Sequence, residues 1–474
     1  MMTDVVVVGG GTSGFAAAIA AARAGASVKL LEQTSYLGGT MTGGLVPGMV
    51  SLRHQPWRDP ETLAAMETSY EGEQVVYGIA QELIDRLIQA NGAYGHQGKA
   101  TIRIIFDPEI AKSVIDQMAR EAGVEVCYST KVTGALTDAN TIRGVRCDYG
   151  TEVKAKAVID ATGDGHVAWL AGAPYEQGQG NDATYVQPMS LYFLLGGVKL
   201  SQTIEYVLGD SEGFTDAYKE TIQCLFDQKK PLTISSLPRL REIAMEAGDY
   251  PLPYGSTSLN PRAHSSIIRP IFRSGRTHYD ITMHNVDMAF RVDATNSTDL
   301  SIAIGSMRDY AVKMAAFFRK YVPGYEDSYL LQVSDHVGVR ETRRIVGEYV
   351  LTGDDVLNAR TFNDSIGYCG ATIDVHDVQG GEKPTRMDAI RGGKLYQVPY
   401  RIILPKIIDG LLVAGRCVSA DRVACGSVRQ QAGCMVTGQA AGVAAAISAR
   451  RAITPRALDV SELQSALISQ GAHV

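Results

Sequence analysis

The stretch Val5-Val6-Val7-Val8-Gly9-Gly10-Gly11-Thr12-Ser13-Gly14 decides how this chain begins to fold. Four consecutive valines suit a strand of a parallel sheet that is covered on both faces. The glycines behind them are spaced G-x-G-x-x-G at Gly9, Gly11 and Gly14. Gly9 permits a tight turn, Gly11 lets the backbone approach a pyrophosphate, and Gly14 lets the following helix pack on the strand. The N-terminus of the following helix then presents its free N–H groups to the phosphates. Phe15 to Ala24 is an alanine-rich run of high helix propensity closed by Gly25. Ala26 to Leu31 predicts the second strand, and it ends at Glu32, an acid placed to accept hydrogen bonds from a ribose diol. The βαβ unit is complete and predicts a bound dinucleotide, with Glu32 opposing a 2′-phosphate.

Around this unit lies a chain of 474 residues, long enough to predict two domains. Its net charge of −6 gives no basic footprint for nucleic acid, and its arginines are scattered. No apolar run approaches the roughly 20 residues needed to span a bilayer, and the first strand starts almost at Met1. The expectation is a cytoplasmic protein with neither nucleic-acid nor membrane partners. Seven cysteines without a C-x-x-C argue against a disulfide framework or dithiol chemistry. Cys417, Cys425 and Cys434 stand in small, apolar surroundings without paired histidines, so they read as buried thiols rather than metal ligands.

Three further stretches decide which dinucleotide binds. Leu37-Gly38-Gly39-Thr40-Met41-Thr42-Gly43-Gly44 is a second glycine-rich loop, able to bring backbone amides to a ribityl chain and flavin ring. Val124 to Val126 predicts a strand, Thr130-Lys131-Val132 opens a meander turning near Asp138-Ala139-Asn140, and Ala157 to Gly165 is an apolar strand ending in Ala161-Thr162-Gly163-Asp164. Late in the chain, Gly410 to Arg416 is another buried strand ending in glycine. After Gly426-Ser427-Val428-Arg429 comes a helix, Gln430 to Ser448, whose N-terminal amides would favour negative charge on a reduced flavin.

This arrangement, with one nucleotide domain assembled from both chain ends, resembles the glutathione-reductase-like FAD superfamily. More narrowly the chain is similar to the bacterial FAD-dependent oxidoreductase family, through Gly338-Val339-Arg340-Glu341-Thr342-Arg343-Arg344-Ile345, Gly347-Glu348-Tyr349, Val398-Pro399-Tyr400-Arg401 and Leu412 to Arg416. The likeness runs nearly end to end. It implies an α/β fold: a Rossmann-like FAD-binding domain with a central parallel sheet, plus an inserted α+β substrate domain. The predicted division is 1–174 and 365–474 for the FAD domain and 175–364 for the insertion. By the resemblance, FAD contacts fall on Gly9, Gly11, Thr12, Ser13, Gly14, Glu32, Gly38, Gly39, Thr40, Val132, Ala161, Gly163 and Asp164, with Gly415, Arg416, Gln431 and Gly438 near the second FAD-binding segment.

In the middle region the nucleotide glycines disappear. Gln187 to Gly196 predicts a strand; Thr215 to Asp227, Pro238 to Ala247 and Asp299 to Tyr321 predict helices, the last ended by Pro323-Gly324. Ser265 to Phe272 and Thr277 to Val286 predict a hairpin around Arg273-Ser274-Gly275-Arg276. Strict alternation puts His278, Asp280, Thr282 and His284 on one polar face. If that sheet roofs the flavin, His284 or His278 reaches the substrate; otherwise the face is simply solvated.

Tyr368 to Asp377 brings Asp374 and His376 to one face of an extended segment, and His376 is the first choice for a base, because imidazole titrates in the range that proton removal needs. His336, Arg340 and Arg343 form a third group: an arginine fork suits a substrate carboxylate, or it ties loops through Glu341 or Glu348. Gly178-Gln179-Gly180 lacks a preceding strand, so no second nucleotide domain is expected. The leading expectation is a flavin-dependent dehydrogenase or oxidase that passes hydride from a small organic substrate to flavin N5, with oxygen or an electron carrier as acceptor. Its rivals are an NAD(P)H-using monooxygenase, a fumarate-reductase-like enzyme and a non-catalytic flavin scaffold. Flavin halogenases are set aside, since Trp57 and Trp169 are the only tryptophans and cannot make W-x-W-x-I-P.

Overall fold

A computed structural model describes residues 2–50, 52, 74–94, 103–210, 213–235, 237–256, 266–376, 378, 386–388, 390–391 and 394–474. Trp57, Ser265 and Asp377 lie outside the described residues. The opening valines form the strand Thr3–Val8, and Val5, Val6 and Val7 have no solvent exposure. Parallel neighbours flank it on both sides, so the sheet runs Glu125–Cys127, Val28–Leu31, Thr3–Val8, Glu152–Asp160, Leu411–Val413. Residues 3–31 and 411–413 thus share one sheet, the two-ended assembly that the sequence predicts. The first half of Glu152–Asp160 also pairs antiparallel with Thr141–Cys147, which pairs with Val132–Asp138, and this is the expected meander.

Helices Thr12–Arg23 and Gln431–Arg451 pack against one another with no room for side chains at their closest points. A Cβ on Gly438 would lie 2.2 Å from the Ser13 carbonyl oxygen, and one on Gly442 would lie 2.1 Å from that of Ala17. The second helix is buried from Ala432 to Ala449. Among the described residues it is the one helix long and apolar enough to cross a membrane, yet its apolar window lies wholly inside the protein.

The second lobe has its own core, running from Met189 to Val339. Its sheet is antiparallel, in the order Ile234–Ser235, Ser266–Arg273, Arg276–Val286, Phe193–Gly196, Tyr329–Val333. Helices Asp216–Asp227, Pro238–Glu246 and Ser297–Tyr321 contribute their apolar sides to that core. Their starts follow sequence signals: the Thr215 hydroxyl accepts from Tyr218 N–H, Pro238 occupies the first turn, and the Asn296 side chain accepts from Thr298 and Asp299. The architecture is the mixed α/β one, with an inserted α+β lobe.

Three expectations require correction. The strand predicted over Gln187 to Gly196 is regular only over Phe193–Gly196, because Met189 and Ser190 make single bridges to Ala289 and Gly338 instead. The lobe is also narrower than 175–364. Tyr175–Gln177 pairs antiparallel with Arg343–Ile345, and Ile345, Leu351 and Val356 pack in the first core, so the chain leaves and re-enters through adjacent strands. Third, the hairpin is not regularly alternating. Its turn is as predicted, with Ser274 and Gly275 both at positive φ, but its register slips between Pro270 and Ile271, pairing Pro270 with Thr282 and Ile271 with His278. Such a bulge changes which side chains share a face. Tyr279 therefore joins Thr282 and His284 on the helix-covered side, whereas Ile281 and Met283 face the other way.

Candidate active site

A cavity of about 720 Å³ lies between the lobes, its walls drawn from both. On the nucleotide side it is lined by Gly9, Gly11, Thr12, Ser13, Glu32, Gly39, Thr40, Val132, Ala161, Gly163 and Asp164, and on the C-terminal side by Arg416 and Gln431. Thirteen of the seventeen predicted cofactor residues therefore meet in one space. The other four, Gly14, Gly38, Gly415 and Gly438, act through packing. A Cβ on Gly14 would sit 1.7 Å from the Gly9 carbonyl oxygen, one on Gly38 2.6 Å from the Thr42 methyl, and one on Gly415 2.5 Å from the Ser13 hydroxyl. These glycines shape the walls rather than face the cavity.

Gly11 is different. A Cβ there meets nothing within 4 Å, so its free side is the cavity itself, a cradle that a side chain would fill. That is the space a pyrophosphate requires beside a helix N-terminus. Glu32 holds the neighbouring turn, accepting from Gly10 N–H at 2.6 Å and Thr34 N–H at 2.7 Å. The buried Asp160, which the sequence reading passed over, accepts from Thr162 and Ala168 N–H and so builds the Ala161-Thr162-Gly163 turn. Asp164 is gripped by Arg416 at 2.7 Å and by the Thr342 hydroxyl at 2.9 Å. The open side of Gly11 beside the start of helix Thr12–Arg23 fits the pyrophosphate of FAD.

The opposite wall carries a cluster of titratable side chains. His376, 7% exposed, follows the short strand Ile373–Val375 and lines the cavity with Asp374, Arg340 and Arg429. Its Nδ1 lies 3.0 Å from Asp287 Oδ2, its Nε2 lies 3.4 Å from Asp374 Oδ1, and its backbone N–H donates to Gln187 Oε1 at 3.1 Å. Burial and Arg340 oppose a charge on the ring, but Asp287 and Asp374 outweigh them, so its pKa is raised above the ordinary 6.5. Burial alone would raise the Asp374 pKa, yet His376, Arg429 and Arg340 hold that carboxyl well below the usual range.

Other candidates sort themselves by geometry. His284 is fully buried on the far side of the lobe's sheet, stacked 4.9 Å from Phe193 and wedged beside Phe318, with its Nε2 paired to Thr282 Oγ1 at 2.8 Å. Burial pushes its pKa down to about 3, so it stays neutral and cannot reach the cavity, and the catalytic expectation for it is withdrawn. The side chains that reach the cavity from this sheet are Ile267, Arg269 and Asn285. Arg340 lines the cavity, but its fork is engaged, with Nη2 on Asp287 Oδ1 at 3.0 Å and Nη1 on the Pro188 carbonyl. Glu341 ties Arg344 and Arg422, the loop-tying alternative for this segment. Arg343 lies 4.8 Å over the Trp169 ring at the cavity edge. His336 also lines the cavity, and burial lowers its pKa. Cys417, Cys425 and Cys434 are buried free thiols; Cys434 touches the cavity, and burial pushes it up to about 12.

The chain matches the FAD dependent oxidoreductase family over residues 4–467 and belongs to it. It is an enzyme of that family, and FAD is its cofactor. Among curated proteins it is 27% identical over 212 residues to digeranylgeranylglycerophospholipid reductase 1 of Methanococcoides burtonii, covering 43% of this chain and 47% of that one. To the thiamine thiazole synthase of Aeropyrum pernix it is 31% identical over 165 residues, covering 34% and 55%. The chain thus spans about half the length of these curated relatives. Among solved structures, a geranylgeranyl bacteriochlorophyll reductase-like protein from Thermoplasma acidophilum is similar at 14% identity and a TM-score of 0.46, over 100% of this chain and 84% of that one.

Proposed function

We propose that this oxidoreductase acts on a small polar substrate held between the glycine cradle and His376, and that His376 moves the substrate proton. The observation that carries the reading is a buried imidazole between two carboxylates, in the wall of the cavity that the FAD-binding glycines line. When bound, FAD supplies a two-electron acceptor. In the oxidising direction, a substrate carbon gives up its hydrogen with the bonding pair, and the attached O–H or N–H gives its proton to His376 Nε2. The new C=O or C=N bond balances the two losses. Asp374 and Asp287 stabilise the imidazolium so formed, and Arg340 and Arg429 keep both carboxylates charged. Oxygen or a separate electron carrier is the final acceptor in this reading.

The raised pKa of His376 also favours a second reading, the reverse one, in which the protonated ring donates to an unsaturated substrate during reduction. The two readings differ in the sign of their pH dependence. The test begins with the visible spectrum of the FAD-reconstituted protein and acid release of the yellow colour. Anaerobic mixing with amines, hydroxy acids and cyclic alcohols then seeks a compound that bleaches it. With that compound, His376→Ala is expected to slow bleaching by about 10²- to 10⁴-fold. An unchanged rate removes His376 from the mechanism.

A further inference from the structure

We infer that Asp287 is the positioning residue of this site: its buried carboxylate fixes the His376 ring so that Nδ1 carries its hydrogen toward the substrate lobe and Nε2 is left to exchange a proton with the substrate. This rests on the proposal that His376 handles the substrate proton. Asp287 follows directly on the lobe strand Arg276–Val286 and is 2% exposed. One of its oxygens meets His376 Nδ1 at 3.0 Å and the other meets Arg340 Nη2 at 3.0 Å. A carboxylate has only acceptors, so the short contact assigns the proton to Nδ1. Nε2 lies farther, at 3.4 Å, from Asp374 Oδ1, so the second hydrogen of the charged ring points there and is the one exchanged. The charged groups around the ring are Asp287 and Arg340 from the substrate lobe and Asp374 from its own segment, with Arg429 from the C-terminal part reaching Asp374.

Selective ¹⁵N-histidine labelling of the FAD-loaded protein reads this directly, since the two ring nitrogens report tautomer and titration without any substrate. The His376 signals are those missing from His376→Gln. Above the His376 pKa, the native protein is expected to show the Nδ1–H tautomer. Asp287→Asn should lower the His376 pKa by about one unit or more, the effect of an opposing charge at this range, and mix the tautomers. Asp287→Glu should restore much of both. Arg340→Gln removes a cation that disfavours the imidazolium, so it should move the pKa upward. A purely structural role for Asp287 predicts no such opposition in sign between two variants of one contact. An Nε2–H tautomer in native protein, or a His376 pKa unmoved in Asp287→Asn, overturns the assignment. Failure of the underlying reading looks different: His376→Gln would bleach with substrate at the native rate while the His376 ring of the native protein still titrates as described.

Discussion

Replacing Gly11 by alanine separates a glycine that serves the cofactor from glycines that serve the fold. The Gly11 backbone, at φ −65° and ψ −170°, is open to any residue, and the new methyl touches no protein atom. Lower entropy of the unfolded chain gains about 0.4–1 kcal/mol. A poorer helix cap costs a comparable amount, about 0.5–2 kcal/mol, so the FAD-free protein should change by about 1 kcal/mol or less. The methyl does occupy the phosphate's approach. Losing one charge-assisted hydrogen bond there, worth about 1.5–3 kcal/mol, weakens FAD binding by about 10- to 150-fold. Gly438→Ala should behave in the opposite way. Its methyl would lie 2.2 Å from the Ser13 carbonyl oxygen, so two helices must separate, at a cost of about 1–3 kcal/mol of overpacking or more. Calorimetric FAD titration and thermal melts with and without FAD distinguish the two. A Gly11 variant that binds FAD within about threefold of native, or melts as low as the Gly438 variant without FAD, would refute the division between the two glycines.

Other consequences are equally open to measurement. For substrate oxidation, kcat/KM should rise with pH through the raised His376 pKa, placing the limb above 6.5, because only the neutral ring accepts a proton; a rate that falls across that limb selects the reductive reading. His284 is held neutral with its pKa near 3. The unfolded chain therefore binds the extra proton below 6.5, and stability should fall by about 1.4 kcal/mol per pH unit between 6.5 and 3 from this group. Urea titrations of native protein and His284→Phe should diverge over that window, and parallel curves would contradict it. Trp169 lines the cavity and is one of two tryptophans. In a Trp57→Phe background, FAD binding should quench its emission, and undiminished fluorescence would place the cofactor elsewhere.

The nucleotide wall was legible because each feature is local: a strand, a turn and a helix start lie within residues 5–14, and the acid follows at Glu32. Gly14, Gly38, Gly415 and Gly438 carry the same letter as Gly11, and only three-dimensional contacts separate a cradle from a packing point. The opposite wall was half legible. His376 could be nominated from its residue type and its neighbour Asp374, whereas Asp287 carries no motif and meets it only through the fold, 89 positions away. His284 was misplaced for a physical reason: alternation puts Thr282 and His284 on one face but does not say what covers it, and here Phe318 and Tyr325 do, while the slip between Pro270 and Ile271 moves only Tyr279 onto that face. A proline in that strand is the one signal that pointed to an irregular register.

The paired strands Tyr175–Gln177 and Arg343–Ile345 give the substrate lobe a narrow doorway. Exchange of everything between them would leave every strand of the parallel sheet, and both helices that cross behind the glycine cradle, in place. What such a transplant could not carry over is the bond from Asp287 to His376, for its two ends belong to opposite sides of the doorway. Under the proposed mechanism, an enzyme rebuilt with a foreign lobe would keep the nucleotide wall and Asp374 beside His376, but would lose the carboxylate and the guanidinium, Asp287 and Arg340, that the native lobe brings to that ring.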